Sequence, residues 1–375
     1  MAISQISSNG LAANTTIVTP TIDKINTSVA NTSLGAGNAS IMKNRIINGA
    51  MVINQRGFSG TPANGSYTLD RFNVLMPVAS KFTIAQSSTA PAGFVNSLLV
   101  TSSSAYTVGT SEAFGIQQVI EGYNIADLNW GTANAKTVTL SFWVYSSLTG
   151  TFGGALQSYD ASRSYPFSYT VSSANTWTQA SVTIAGDTTG TWTTTNSGGI
   201  AVIFSMGTGS TKSGTAGAWG STYYTSATGA TSVVGTNGAT FYITGVQLEV
   251  GTSATGFEYR QYGTELALCQ RYYAKMLGNV AVTAFASGYV NSATQGIYYV
   301  KYPTTMRSSP TFSYSSIALD STTATPTVTS AGTTYAGSDS LLIVLNASGG
   351  GLTAGQGTLV RATATTSYVD FSAEL

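Results

Sequence analysis

The chain has 375 residues, 42% of them hydrophobic and only 8% charged, with 41 glycines, no histidine and a formal net charge of +1. Ordinary soluble domains carry about 25% charged residues, so polarity here comes instead from Ser, Thr, Asn, Gln and Gly. That balance excludes charge-driven disorder. The scattered Lys and Arg offer no basic cluster for DNA or RNA. Without histidine, the commonest metal ligand and general base are missing.

Residues 1–43 are rich in Ser, Thr and Asn and read as an N-terminal arm. Thr21–Ala30 predicts a short helix with Ile22, Ile25 and Val29 on one face. It is too short to stand alone and is expected to order only against another protein or its own copies. The opening MAISQISSNG lacks the charged start and apolar stretch of a secretion signal. No apolar run approaches the ~20 residues of a membrane span. Synthesis in the cytoplasm without export, and no membrane insertion, are therefore expected.

Residues 44–257 predict one β-sandwich. Candidate strands are Thr68–Met76, Lys81–Gln86, Val95–Thr101, Phe114–Glu121, Thr137–Tyr145, Phe152–Gln157, Ser164–Val171, Thr178–Ala185, Gly199–Ser205 and Thr240–Val250. Most alternate: Leu140, Phe142 and Val144 point one way, Thr139, Ser141, Trp143 and Tyr145 the other. Many short strands separated by Gly, Ser, Thr and Asn turns favour a jelly roll. Tyr123–Trp130 predicts a small helix or turn. Gly207–Gly238 is a long loop without strand alternation, and loops of that length are often functional.

Phe241–Val250 alternates with a one-residue slip at Gly245, the mark of a bulge. A connecting loop and helix occupy 258–275, with Thr264 predicted to cap a helix from Glu265. Leu266, Cys269, Tyr272 and Tyr273 then share one side of it. Residues 276–375 predict a second all-β domain with strands Val280–Ser287, Gly296–Val300, Thr311–Leu319, Leu341–Asn346, Gly357–Thr363 and Tyr368–Ala373. The expected fold is therefore all-β: a jelly-roll β-sandwich and a C-terminal β-sandwich domain joined by a short helix, preceded by an extended arm.

Four segments carry a resemblance. Asn44–Arg56 (NRIINGAMVINQR) and Tyr67–Phe72 (YTLDRF) resemble the opening of a jelly-roll module found in tail-fibre and related structural proteins of bacteriophages and prophages, and Phe241–Tyr273 (FYITGVQLEVGTSATGFEYRQYGTELALCQRYY) resembles its close. Tyr302–Pro310 (YPTTMRSSP) resembles a turn that follows the closing helix in such proteins. Phe72 stands where that family more often has Trp. The resemblance implies a phage virion structural protein with a carbohydrate-binding-module-like jelly roll, of the tail-fibre or receptor-binding-fibre kind. The alternative it leaves open is a capsid fibre, decoration protein or baseplate component without a receptor role. It also implies a homotrimer; the apolar helix face (Leu266, Cys269, Tyr272, Tyr273) is expected to line its axis, and the arm to dock on other virion proteins.

Catalysis is not expected. Cys269 is the single cysteine, with no histidine to activate it, and reads as a buried helix-face residue. A glycan hydrolase needs two carboxyls about 5–10 Å apart, and the loop candidates Asp127, Asp160, Asp187, Asp320 and Asp339 share no motif with another acid. Asp70 reads as an ion-pair partner. Glu249 is the one acid considered for calcium, but no Asp-rich loop accompanies it, so neither metal nor cofactor is expected. Gly349–Gly357 lacks the Lys-Ser/Thr of a phosphate loop. Sugar binding remains, because aromatic faces stack on pyranose rings while Asn, Gln, Ser and Arg supply hydrogen bonds. The aromatics outside strand alternation are Trp192, Trp219, Tyr223 and Tyr224. A second group is Tyr159, Arg163 and Tyr165. These seven are the expected contacts to host cell-surface polysaccharide.

Overall fold

The structure, a computed structural model, describes residues 42–375; the arm expected over residues 1–43 lies outside them apart from Met42 and Lys43. In chain order the first unit contains β1 (Ser59–Gly60), β2 (Asn73–Leu75), β3 (Phe82–Ser87), β4 (Ser97–Ser102), β5 (Ala113–Glu121), β6 (Val138–Ser146), β7 (Gly150–Ser158), β8 (Ser164–Val171), β9 (Thr178–Ile184), β10 (Gly198–Thr208), β11 (Ser213–Gly214), β12 (Ser226–Ala227) and β13 (Thr240–Val250). Two antiparallel sheets face each other. One has six strands in the order β1-β3-β4-β13-β6-β9, the other five in the order β2-β5-β10-β7-β8. This is the jelly-roll sandwich that the strand alternation predicts.

Alternation builds its core. Phe82, Ile84, Leu98, Val100, Leu140, Phe142, Phe241 and Ile243 from the six-stranded sheet meet Ile116, Phe152, Phe167, Val202 and Phe204 from the other, all buried. The Phe142 ring stands edge-on to Tyr169 and Phe204, with centroids 4.9 Å away in both cases. Truncating such a ring to Ala costs about 3–5 kcal/mol. The bulge expected at Gly245 is present: register with β6 shifts between Thr244 and Gln247, and Gly245 sits at φ 62°. A Cβ there would meet the Phe94 and Trp143 rings, so glycine is required on two counts.

Several expectations are corrected. The strand predicted over Thr68–Met76 is reduced to β2, because the chain turns at Leu69–Phe72 with Arg71 at φ 70°. Tyr123–Trp130 contains two short 3₁₀ turns, Gly122–Asn124 and Ala126–Leu128. The connecting helix α1 runs Tyr262–Gln270, so Thr264 lies inside it; Gln261 takes the cap position, without a side-chain cap bond. The Glu265 carboxylate instead accepts from the Asn48 amide and from Arg260.

The second unit comprises β14 (Tyr273–Leu277), β15 (Ala284–Ser292), β16 (Gln295–Lys301), β17 (Thr311–Ser315), β18 (Ile317–Asp320), β19 (Val328–Ala336), β20 (Ser340–Ala347), β21 (Gly357–Ala362) and β22 (Tyr368–Ser372). A three-stranded sheet, β14-β22-β17, packs against a six-stranded one, β18-β21-β15-β16-β20-β19. Their core includes Tyr298, Leu319, Leu341, Ile343, Leu345, Val360 and Phe371. The strand predicted over Thr311–Leu319 breaks at Ser316, φ 53°, and its halves join different sheets. β14 and β19 were not anticipated.

Candidate functional site

The aromatic residues singled out in loops are mostly packing residues. Trp192 and Tyr165 are buried. Trp192, Trp219 and Trp130 form a mutual edge-to-face triad with centroids 4.8–5.4 Å apart. Tyr165 joins at 5.3 Å from Trp219. The Trp219 indole N–H donates to the Ala185 carbonyl at 2.7 Å. This cluster seals one side of the sandwich. Arg163 is committed to the buried Asp187 through Nε (2.6 Å) and Nη2 (2.8 Å). Tyr223 lies under the Lys212 ammonium at 4.3 Å, and Tyr224 packs on Gly214. Tyr159 remains exposed, its ring against Gly198. The seven therefore do not converge on one open site.

The long loop is a lid on the five-stranded sheet. Ser164 Oγ donates to the Thr222 carbonyl, Gln157 Nε2 to the Tyr224 carbonyl, and Thr231 N to the Thr151 carbonyl. Ser226 and Ala227 lie over Gly153, where a Cβ would strike them. Further along the same face, Val119, Ala201 and Ile203 are covered by Leu375. That outer face is closed.

The outer face of the six-stranded sheet differs. Register places Ala85, Leu99, Tyr242 and Tyr145 opposite one another on β3, β4, β13 and β6. Trp177, just before β9, stands next in the row, 5.5 Å from Tyr145 and 6.3 Å from Tyr242. Tyr145 and Tyr242 are 5.2 Å apart, edge to face. The neighbouring row is Thr244, Trp143 and Gln179. Beyond it Phe94, Phe257 and Tyr259 form a second aromatic group with centroids 4.9–5.4 Å apart. Leu99, Trp143, Tyr145, Trp177 and Tyr242 are all partly exposed, and Gln179 is exposed. At about 4.8 Å per strand, the row from Leu99 to Trp177 spans roughly 14 Å.

This face is almost free of charge. Its six strands contain one acidic or basic residue, Glu249. That carboxylate is buried, accepts from Thr255 N (2.8 Å) and Thr255 Oγ1 (2.6 Å), and lies 3.7 Å from the Lys43 ammonium. Sequence reasoning placed Trp143 and Tyr145 opposite the core residues of β6 yet read strand aromatics as core. The alternation itself was the signal that could have found the row.

The signature segments form a structural clamp. Asn44 bonds Ile46 N, Leu248 N and the Val246 carbonyl; Glu258 accepts from Asn44 N at 2.8 Å. Asp70 accepts from Gln55 N (2.7 Å) and Gln55 Nε2 (2.6 Å), so it is hydrogen-bonded to an amide and not ion-paired as expected. Burial raises its pKa, against the pull of Arg56 and Gln55. The buried Arg71 pairs with Glu374 and lies 3.6 Å over the Tyr272 ring. Glu121 accepts from Arg271 (2.6 and 2.9 Å) and from Tyr272 Oη (2.6 Å). Arg307 donates to the Ala373, Glu374 and Asn196 carbonyls.

The proposed axis residues belong to this clamp. Cys269 and Tyr272 are fully buried within the chain against Ile47 and Ile53, Leu266 is partly buried beside them, and Tyr273 opens β14 and bonds Asp370. That corrects the expectation that this helix face lines a threefold axis: its own chain already covers it.

The loop carboxylates are separately engaged, Asp127 by Arg45, Asp187 by Arg163, Asp320 by Arg361, Asp339 by Thr305 and Asp160 by Ser158 and Ser162. Among the described residues no three His, Cys, Asp or Glu side chains are grouped to hold a metal ion, and no helix is long and apolar enough to cross a membrane.

No protein-family model and no curated protein sequence matches the chain. Solved structures do. The enzymatically active domain of bacteriophage CBA120 tailspike protein 4 is 12% identical, with 56% of this chain and 21% of that chain covered, at a TM-score of 0.32; the match thus spans about a fifth of that protein. A family 4 carbohydrate-binding module is 15% identical over 54% of this chain and 98% of its own, TM-score 0.30. The family 11 carbohydrate-binding module from Clostridium thermocellum is 10% identical over 52% and 98%, TM-score 0.28. Likenesses this distant carry no conclusion about ligand or activity, and the fold stated above rests on strand pairing.

Proposed function

We propose that this chain is a non-enzymatic structural protein of a phage particle, a tail or receptor-binding fibre, that holds host-surface polysaccharide on the outer face of its six-stranded jelly-roll sheet. The observation that supports this most is the row Leu99, Tyr242, Tyr145 and Trp177, one aliphatic and three aromatic side chains side by side and partly exposed. Sugar rings stack on such side chains through apolar contact, and Gln179 and Thr101 border the row as hydrogen-bonding groups. With no unpaired charge on the six strands, the ligand is an uncharged polysaccharide, and its binding is insensitive to salt. Repetition of weak sites on one particle turns each into firm attachment. The motif resemblance supports the virion setting.

The test is binding of the full chain to host cells and to a panel of neutral and acidic polysaccharides, at low and high salt. Saturable binding competed by a neutral polysaccharide, and lost in Trp177→Ala, supports the reading. Absence of binding by the folded chain overturns the receptor role and leaves the decoration or baseplate role.

A further inference from the structure

Near the end of β13 a nucleophile, a base and an electrophile meet. Gln247 and Glu249 are both buried, and Thr255 returns to them from the loop that follows the strand. The two oxygens of the Glu249 carboxylate hold different partners. Oε2 accepts from the Thr255 hydroxyl at 2.6 Å, and Oε1 accepts from the Gln247 carboxamide nitrogen Nε2 at 2.9 Å. The Gln247 carboxamide oxygen accepts from the Glu258 backbone N–H at 2.8 Å. The Lys43 ammonium donates to Thr255 Oγ1 and, at 2.8 Å, to the Gly256 carbonyl, and lies 3.7 Å from Glu249. Gln247 Nε2 lies 3.3 Å from the same Gly256 carbonyl and 3.4 Å from the carbonyl of Thr255 itself.

We propose that Thr255 and Gln247 join in an intramolecular ester, with loss of ammonia. Glu249 Oε2 takes the hydroxyl proton as Thr255 Oγ1 attacks Cδ of Gln247, and the Oγ1–Cδ bond forms. The negative charge that develops on Gln247 Oε1 is met by the Glu258 N–H, while Lys43 stabilises the oxygen that gives up its proton. The intermediate collapses by breaking Cδ–Nε2. Glu249 passes its proton to that nitrogen, to which it is already hydrogen-bonded, and ammonia leaves. The step needs no oxidant and no co-reactant. A carboxylate that only braces a loop is satisfied by its two bonds from Thr255; this one also holds the leaving nitrogen. Burial of Gln247 and Glu249 keeps bulk water from competing as the nucleophile. The hydroxyl is the nucleophile and Lys43 is not, because Thr255 already donates its proton to the base, whereas a charged ammonium has no lone pair to offer.

The bond does not depend on glycan binding. It is tested by the intact mass of the folded full chain, set against the mass its sequence requires. The expected result is a deficit of about 17 Da, one ammonia released as the ester forms. After digestion in denaturant that cuts at Glu249, the peptides carrying Gln247 and Thr255 stay joined, and hydroxylamine separates them, as it does an ester and not an amide. Glu249→Gln and Thr255→Val should show the full mass, and Thr255→Ser, which keeps the hydroxyl, should show the deficit. Thr255→Val, close to threonine in shape, decides the matter if Glu249→Gln folds poorly. Full mass in the folded chain, a deficit that persists in Thr255→Val, or a link between Lys43 and Gln247 that resists hydroxylamine would each overturn the proposal.

Discussion

Tyr145 follows Val144 by one residue and faces the opposite way, which is the whole reason it is available to a ligand. Replacing Tyr145 or Trp177 by Ala should weaken polysaccharide binding about tenfold each, or ~1.4 kcal/mol, with no comparable loss of stability, since both rings are partly exposed. Isothermal titration against the neutral polysaccharide measures this. A different residue carries a pH dependence. Burial acts to raise the Asp187 carboxyl, but hydrogen bonds from Arg163 and Thr189 outweigh it and hold the group below the ordinary carboxylate range. A folded-state pKa below the unfolded one stabilises the fold above the unfolded value and loses that contribution as pH falls through the folded value. Denaturant midpoints should thus fall between pH 5 and pH 3, and Asp187→Asn should flatten that slope while costing about 1–3 kcal/mol at neutral pH.

At the scale of elements, alternation made the jelly roll legible. Ser164–Val171 and Thr240–Val250 were placed to the residue, because core side chains recur at strand spacing along them: Tyr165, Phe167, Tyr169 and Val171 in the first, Phe241, Ile243, Val246 and Leu248 around the bulge in the second. What alternation does not register is which outer face stays open. Trp192 and Trp219 looked available in sequence because they interrupt no strand pattern, yet they meet Trp130 from three separate segments, a tertiary contact with no local signature. Strand β19 escaped notice for the opposite reason: TSAGTTYA is exposed almost throughout, so no apolar period marks it. The helix face was legible as apolar, but its partner, the Ile47–Ile53 segment, lies more than 200 residues earlier. The lid over the five-stranded sheet gives its own test. Gly153→Val places a side chain where Ser226 and Ala230 now sit. It should destabilise by about 1–3 kcal/mol, seen as a lower denaturant midpoint, while polysaccharide binding on the other sheet is unchanged.

On the scale of the whole molecule, the clamp ties the two sandwiches together and is expected to make them unfold as one. Arg71 is fully buried and pairs with Glu374, while Arg307 and Arg271 tie the second unit to Asn196 and Glu121 of the first. Glu374→Ala leaves a buried guanidinium without its partner, a loss of about 3–5 kcal/mol. Calorimetry should then show the single melting transition of the unaltered chain broaden or split into two.

The same contact sets an order of events during synthesis. Arg71 and Glu374 are 303 residues apart. At about 5–20 residues per second, the jelly roll waits roughly 15–60 s on the ribosome before the acid that neutralises its buried arginine exists. Until then the Arg71 guanidinium lacks that carboxylate, and Val119, Ala201 and Ile203 lack Leu375. The first sandwich therefore cannot mature domain by domain as it emerges. Its completion waits on translation of Glu374 and Leu375.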